Sequence, residues 1–116
     1  MIARGTIVLT PFPFTDLSGN KVRPAVVVSR SDHAGGDLVL AFISSVPPAG
    51  PTLPTEVLVH ATDADFQRTG LKVTSVIKLD KLATLNFGVL FGSLGILSAR
   101  LLKEVDAGLK YALALS

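Results

Sequence analysis

The sequence predicts a mainly β fold with one C-terminal helix, in which short antiparallel strands form a strongly bent sheet or a partly open barrel. Three observations carry this. Apolar runs of strand length recur along residues 5–95, separated by clusters of Gly, Pro, Asn, Asp and Ser. The run "AVVV" at 25–28 is short and β-branched, as a buried strand is. Residues 98–115 instead repeat their apolar positions with a helical period.

Taken in order, "GTIVLTPF" (5–12) reads as a first strand ended by Pro11 and Pro13, and "TDLSGNKV" (15–22) as a loop of turn formers. "RPAVVVS" (23–29) is the second strand, with Pro24 at its start, where no ladder donor is needed. "SDHAGG" (31–36) is a turn and "DLVLAFIS" (37–44) the third strand. "SVPPAGPTLPT" (45–55) is a proline-rich loop, and "TEVLVH" (55–60) alternates as a half-buried strand does. "ATDADFQRTG" (61–70) suits one or two helical turns, with Thr62 as N-cap and Gly70 as the stop. "TSVIKLDKLATL" (74–85) is the longest strand, with Ile77, Leu79, Ala83 and Leu85 on one face and Lys78 and Asp80 on the other. "GVLFGSLG" (88–95) is a short strand, and Phe42, Phe87 and Phe91 are expected in the core. The helix of 98–115 has Ser98 as N-cap and a stripe of Leu101, Leu102, Val105, Leu109, Ala112 and Leu113, with Lys103, Glu104 and Lys110 in water.

A chain of 116 residues is expected to form one domain, residues 1–116, with one core. It is 48% hydrophobic and 17% charged, and its mean hydropathy of +0.53 is high for its size. Apolar surface left uncovered by so small a monomer points to a homo-oligomer. A net charge of +2 and a pI near 9.2 tolerate a polyanionic partner. There is no basic tail, so any nucleic-acid contact would use a folded patch. With no cysteine there is no disulfide framework and no thiolate chemistry, and no secretory pattern opens the chain, so a cytoplasmic location is expected. Residues 82–99 carry no charge over a length that would span a membrane. Gly88, Gly92, Gly95, Asn86, Ser93 and Thr84 punctuate them, so we read strand, turn and strand.

The candidate chemistry gathers at strand ends. Arg23 opens the second strand, Ser44 and Ser45 end the third, and Asp16 lies in the loop ahead of the second. Arginine offers a rigid fork of donors and a permanent charge, which suit a phosphate. Pro24 holds Arg23 in extended backbone and narrows where the guanidinium points. The residues by themselves also allow Arg23 to cap its strand and pair with Asp16. No phosphate-binding glycine loop, metal-ligand cluster or Ser-His-Asp pattern is present, and no metal or other cofactor is expected.

The glycine-led strand, the Pro-Phe segment, the acidic loop and then K-x-R-P-A-V-V-V-S resemble the start of the MazF/PemK family of toxin endoribonucleases. "LAFISSV" is similar to that family's third strand, which ends in a hydroxyl residue. "TGLKVTSVIKLDKLATL" and "FGSLGILSARLLKEVDAGLKYALAL" resemble its later segments and closing helix, so nearly the whole chain takes part. The resemblance implies a homodimer of small SH3-like barrels that cuts single-stranded RNA without metal. A cognate antitoxin would hold it inactive, and operator DNA would be reached only through that antitoxin. The family's arginine falls on Arg23 and its catalytic hydroxyl, commonly Thr, on Ser44. Attack of a ribose 2′-OH on the adjacent phosphate would give 2′,3′-cyclic phosphate and 5′-OH ends. Arginine is a poor proton acceptor, its pKa exceeding about 12, so Asp16 and His33 are the candidates to accept or orient the proton. For RNA binding we expect Lys21, Lys78, Lys81 and Ser45, with Phe12 and Phe14 stacking on bases. The chain departs from the family at Thr6, where relatives often have Asp, and at Lys81 and Ala83, where they often have Gln and Arg. Two rival readings are a non-catalytic binding module for RNA or protein on the same barrel, and a structural oligomer subunit.

Overall fold

The computed structural model describes residues 2–11, 22–32 and 34–115. Strands β1 (Thr6–Pro11), β2 (Val22–Val27), β3 (Asp37–Ser44), β4 (Glu56–Val59), β5 (Ser75–Asn86) and β6 (Gly92–Ile96) precede helix α1 (Ala99–Ala112). Every strand pair is antiparallel, in the order β4-β5-β3-β2-β1-β6, and the sheet curls into a half-barrel. The expected class, mainly β with a C-terminal helix, is the observed one.

Period-two alternation gives each strand one side chain per face in turn. Ile7, Val26, Ala41, Ile43, Val57, Val59 and Ile77 turn to the face that α1 covers with Leu101 and Val105. Val8, Ala25, Val27, Leu38 and Leu40 form a second buried cluster on the other face. This explains the unbroken apolar run of β2: both of its faces are covered. Ser98 caps α1 as expected, accepting the Leu101 N–H at 3.2 Å, and its hydroxyl donates to Asp65 at 2.6 Å. Arg4 ties three parts together, donating from Nε to the Val28 carbonyl and pairing through the guanidinium with Asp106 of α1.

Several expectations are corrected. β5 does not keep one apolar face. Leu82 lies opposite Ala41 but Lys78 lies opposite Phe42, so residues 79–81 are extra and form a bulge. Three is an odd number, so alternation reverses across it. Ile77 and Leu79 join the helix-side core, while Ala83 and Leu85 pack against the opposite cluster. Pro24 is the third residue of a central strand rather than its first. Phe87 and Phe91, expected inside, are 57% and 68% exposed, and Leu113, beyond the end of α1, is 53% exposed. The segment before β5 makes only one 3-10 turn, Gln67–Thr69, preceded by Phe66 and not capped by Thr62. Gly70 does end it, at φ 72°. An added Cβ there would meet the Leu94 carbonyl oxygen at 2.2 Å, and one on Gly95 would meet the Arg68 carbonyl oxygen at 2.1 Å. Two glycines thus let this turn lie directly on β6. Among the described residues no helix is long and apolar enough to cross a membrane.

Candidate functional site

The sheet face away from α1 changes from apolar to polar along its strands. Continuing past the Val8–Ala25–Val27 cluster, alternation brings Thr10 of β1 and Arg23 of β2 onto that same face, directly opposite each other. β2 and β3 pair Ala25 with Phe42. The ladder ends there, and the same register carried two residues further would put Ser44 across from Arg23. Facing residues on neighbouring strands have Cβ atoms about 4.5–5.5 Å apart. Ser44 in turn lies opposite Val76 of β5, and Phe42 opposite Lys78, which faces Glu56 on β4. One surface therefore carries Thr10, Arg23, Ser44, Lys78 and Glu56 across five strands.

Local chemistry explains the arrangement. Pro24 has no N–H to donate, and the β2–β3 pairing stops at Ala25, one residue before it. Arg23 is half-buried, and among the described residues its side chain forms no hydrogen bond or ion pair. Among the described residues its donors are uncommitted, and a guanidinium so placed suits an anion. The Ser44 hydroxyl accepts the Val46 N–H at 3.1 Å and donates a long 3.5 Å contact back to the Val46 carbonyl, a short turn that starts the proline-rich loop and holds the hydroxyl proton only weakly. Thr10 beside Arg23 is fully buried, its hydroxyl 3.4 Å from the Pro11 carbonyl.

Lys78 stands at the other side of this surface. Its Nζ is 3.5 Å from Glu56 Oε2, and the two side chains are 27% and 7% exposed. Glu56 Oε1 accepts the Leu53 N–H at 2.8 Å, while the Glu56 N–H donates to the Leu53 carbonyl at 2.9 Å. Glu56 is not among the candidates that the sequence offers. The signal for it was the alternation of "TEVLVH", which puts this carboxylate on a sheet face, but the pairing with Lys78 requires the β4–β5 register.

By strand register, then, Arg23, Ser44 and Lys78 fall on one face of the sheet. Ser45 is exposed just past the end of β3, and Lys81 is exposed in the β5 bulge. Phe12, Phe14, Asp16, Lys21 and His33 lie outside the described residues. A separate charge network sits at the start of α1. Arg100 donates to Asp65 at 3.0 Å and to Asp63 at 3.2 Å, and pairs with Glu104 at 2.9 Å. The Arg100 guanidinium, and then the Ser98 hydroxyl, hold the Asp65 carboxyl below the usual carboxylate range.

Residues 3–113 match the family model of the PemK-like, MazF-like toxin of type II toxin–antitoxin systems. No curated protein matches by sequence. Among solved structures, a mycobacterial endoribonuclease in complex with its cognate antitoxin superposes with a TM-score of 0.76 at 23% identity, over 100% of this chain and 98% of that one. The Mycobacterium tuberculosis toxin MazF-mt6 gives 0.72 at 23% identity, over 96% and 98%. A MazE–MazF structure from Deinococcus radiodurans gives 0.70 at 23% identity, over 99% and 97%. At such identity these likenesses establish the fold.

Proposed function

The chain belongs to the PemK-like, MazF-like toxin family of type II toxin–antitoxin systems, and from that premise we propose that it is an endoribonuclease that cuts single-stranded RNA without metal and is neutralised by a cognate antitoxin. The observation that carries this is the juxtaposition of Arg23 and Ser44 on one polar sheet face, with the arginine's donors uncommitted among the described residues. A structural arginine is normally paired. One left open beside a hydroxyl, at the edge of a buried cluster, suits a phosphoryl group.

The ribose 2′-oxygen attacks the adjacent phosphorus, the P–O5′ bond breaks, and the products are a 2′,3′-cyclic phosphate and a 5′-hydroxyl. The 2′-OH proton passes to a base, for which Asp16 and His33 are the proposed groups, and the leaving 5′-oxygen takes up a proton. Negative charge grows on the non-bridging oxygens, where the Arg23 guanidinium gains most in the transition state. Ser44 donates its proton to a phosphate oxygen or the 2′-oxygen. Lys78, Lys81 and Lys21 hold flanking phosphates, Ser45 contacts the backbone, and Phe12 and Phe14 stack on bases. We read residues 1–116 as one toxin domain that pairs into a homodimer. The exposed Phe87, Val89, Phe91, Leu94 and Ile96 on and before edge strand β6 support that pairing.

The test is incubation of a long unstructured RNA with the protein in excess EDTA, beside Arg23→Ala, followed by end-group analysis. Discrete fragments with cyclic-phosphate ends, lost in the variant, are expected. Binding without cutting across several RNAs would favour a non-catalytic capture module instead.

A further inference from the structure

Glu56 has no task in the reaction above, yet it is a nearly enclosed carboxylate on the same sheet face. Its two oxygens are both committed, one to the Leu53 N–H at 2.8 Å and one facing Lys78 Nζ at 3.5 Å. So held, it is not set to take a proton from a ribose hydroxyl. Of the two partners the carboxylate is the fixed one. Glu56 and Leu53 hydrogen-bond each other in both directions, through 2.8 and 2.9 Å contacts, which closes the base of the proline-rich loop. Lys78 is the movable one. It has a long flexible stem, a contact at the far limit of hydrogen bonding and donors to spare.

Geometry gives this pair a direction. Lys78 lies opposite Phe42, next to the Ser44 position on β3, but its ammonium leans the other way, onto edge strand β4. We propose that Glu56 is a positioning residue for the RNA, reining Lys78 toward β4. The ammonium then engages a backbone phosphate only when the strand crosses from Ser44 toward that edge. This rests on the endoribonuclease reading. The device lowers sequence-independent grip, because an unreined lysine on the same sheet face as Arg23 would attract any polyanion.

The experiment uses the full chain and two RNA oligonucleotides carrying a 2′-O-methyl group at the ribose that blocks cleavage, one with a mapped cut sequence and one scrambled. Affinity is measured against KCl concentration for wild type, Glu56→Gln, Lys78→Met and the double variant, and kcat is measured on unmodified RNA. Glutamine keeps an acceptor for Leu53 and removes the charge. Glu56→Gln is expected to bind the scrambled oligonucleotide about threefold tighter at low salt. Its salt slope should steepen by about 0.7, one further phosphate contact on a single strand. Its kcat at saturating RNA should stay within about twofold of wild type, since only binding is altered. In the Lys78→Met background the substitution should change nothing. Tightening that persists there, or a drop in kcat at unchanged affinity, overturns the proposal. Lys78→Met alone is the check should Glu56→Gln not fold. It should weaken the cut-sequence oligonucleotide about threefold and hardly affect the scrambled one, and equal weakening of both overturns the idea. If wild type neither binds nor cuts RNA, the endoribonuclease reading fails and this inference with it. If wild type cuts and Glu56→Gln is indistinguishable from it, only this inference fails.

Discussion

Replacing Arg23 by methionine separates a functional arginine from a structural one. Methionine keeps an unbranched stem for packing and removes only the charged fork. In the structure the side chain is half-buried, faces Thr10 and forms no hydrogen bond or ion pair among the described residues. The variant therefore loses no resolved polar contact and no longer keeps a charge partly out of water. Its stability should lie within about 1 kcal/mol of wild type, with an increase as acceptable as a decrease. Activity should fall by roughly 10²–10³-fold, about 3–4 kcal/mol of transition-state stabilisation, the usual effect of deleting one donor aimed at developing charge. Urea unfolding followed by circular dichroism gives the first quantity, and initial rates on a fluorogenic RNA in EDTA give the second. A loss of about 2 kcal/mol or more in stability would show that Arg23 is a structural cap, paired for instance with Asp16, and would refute the reasoning. So would retained activity.

Ser44→Ala removes both the Val46 N–H acceptor and the hydroxyl offered to RNA, so cleavage should drop about a hundredfold, whereas Ser44→Thr should stay within about tenfold. Equal losses in both would make the side chain's role one of loop shape. Gly95→Ala places a Cβ 2.1 Å from the Arg68 carbonyl oxygen and 2.5 Å from the Thr69 carbonyl carbon, and backbone cannot step aside as a side chain can. It should cost about 3 kcal/mol in a urea titration, and a cost under about 1 kcal/mol would mean that the turn lies looser on β6. Asp65 has its carboxyl pKa lowered chiefly by the Arg100 hydrogen bond. Its contribution is present in full above the unfolded value of about 3.9 and is lost as pH falls through the lower folded value. The stability gap between wild type and Asp65→Asn should therefore be largest near neutrality and shrink below about pH 4. A gap that does not change between pH 7 and pH 3 would locate the effect in packing.

Local patterns were legible where one cause dominates. β3 was read at its observed bounds, Asp37–Ser44, because a turn on one side and prolines on the other delimit an alternating run. The helix and its Ser98 cap were legible because an amphipathic period and a capping hydroxyl are encoded within a few residues of each other. The sequence predicts β5 as a strand, but its alternation alone assigns the wrong faces. A bulge is created by its partner, β3, and nothing in "SVIKLDKLATL" marks where pairing slips. Phe87 and Phe91 misled for a similar reason. Aromatic character predicts burial only if a neighbouring layer arrives to cover it, and among the described residues none covers Phe87 or Phe91.

By itself the sequence determined the class of fold, the order of its strands along the chain and the pairing of a fixed arginine with a proline at the start of an apolar run. These depend on side-chain period and backbone restriction, which act over a few residues. Only the tertiary structure decided that Arg23, Ser44 and Lys78 share one surface, and that Glu56 belongs to it. Arg23 and Glu56 are separated by two intervening strands in the sheet, and their common face follows from register, which is set by the packing of both sheet faces at once.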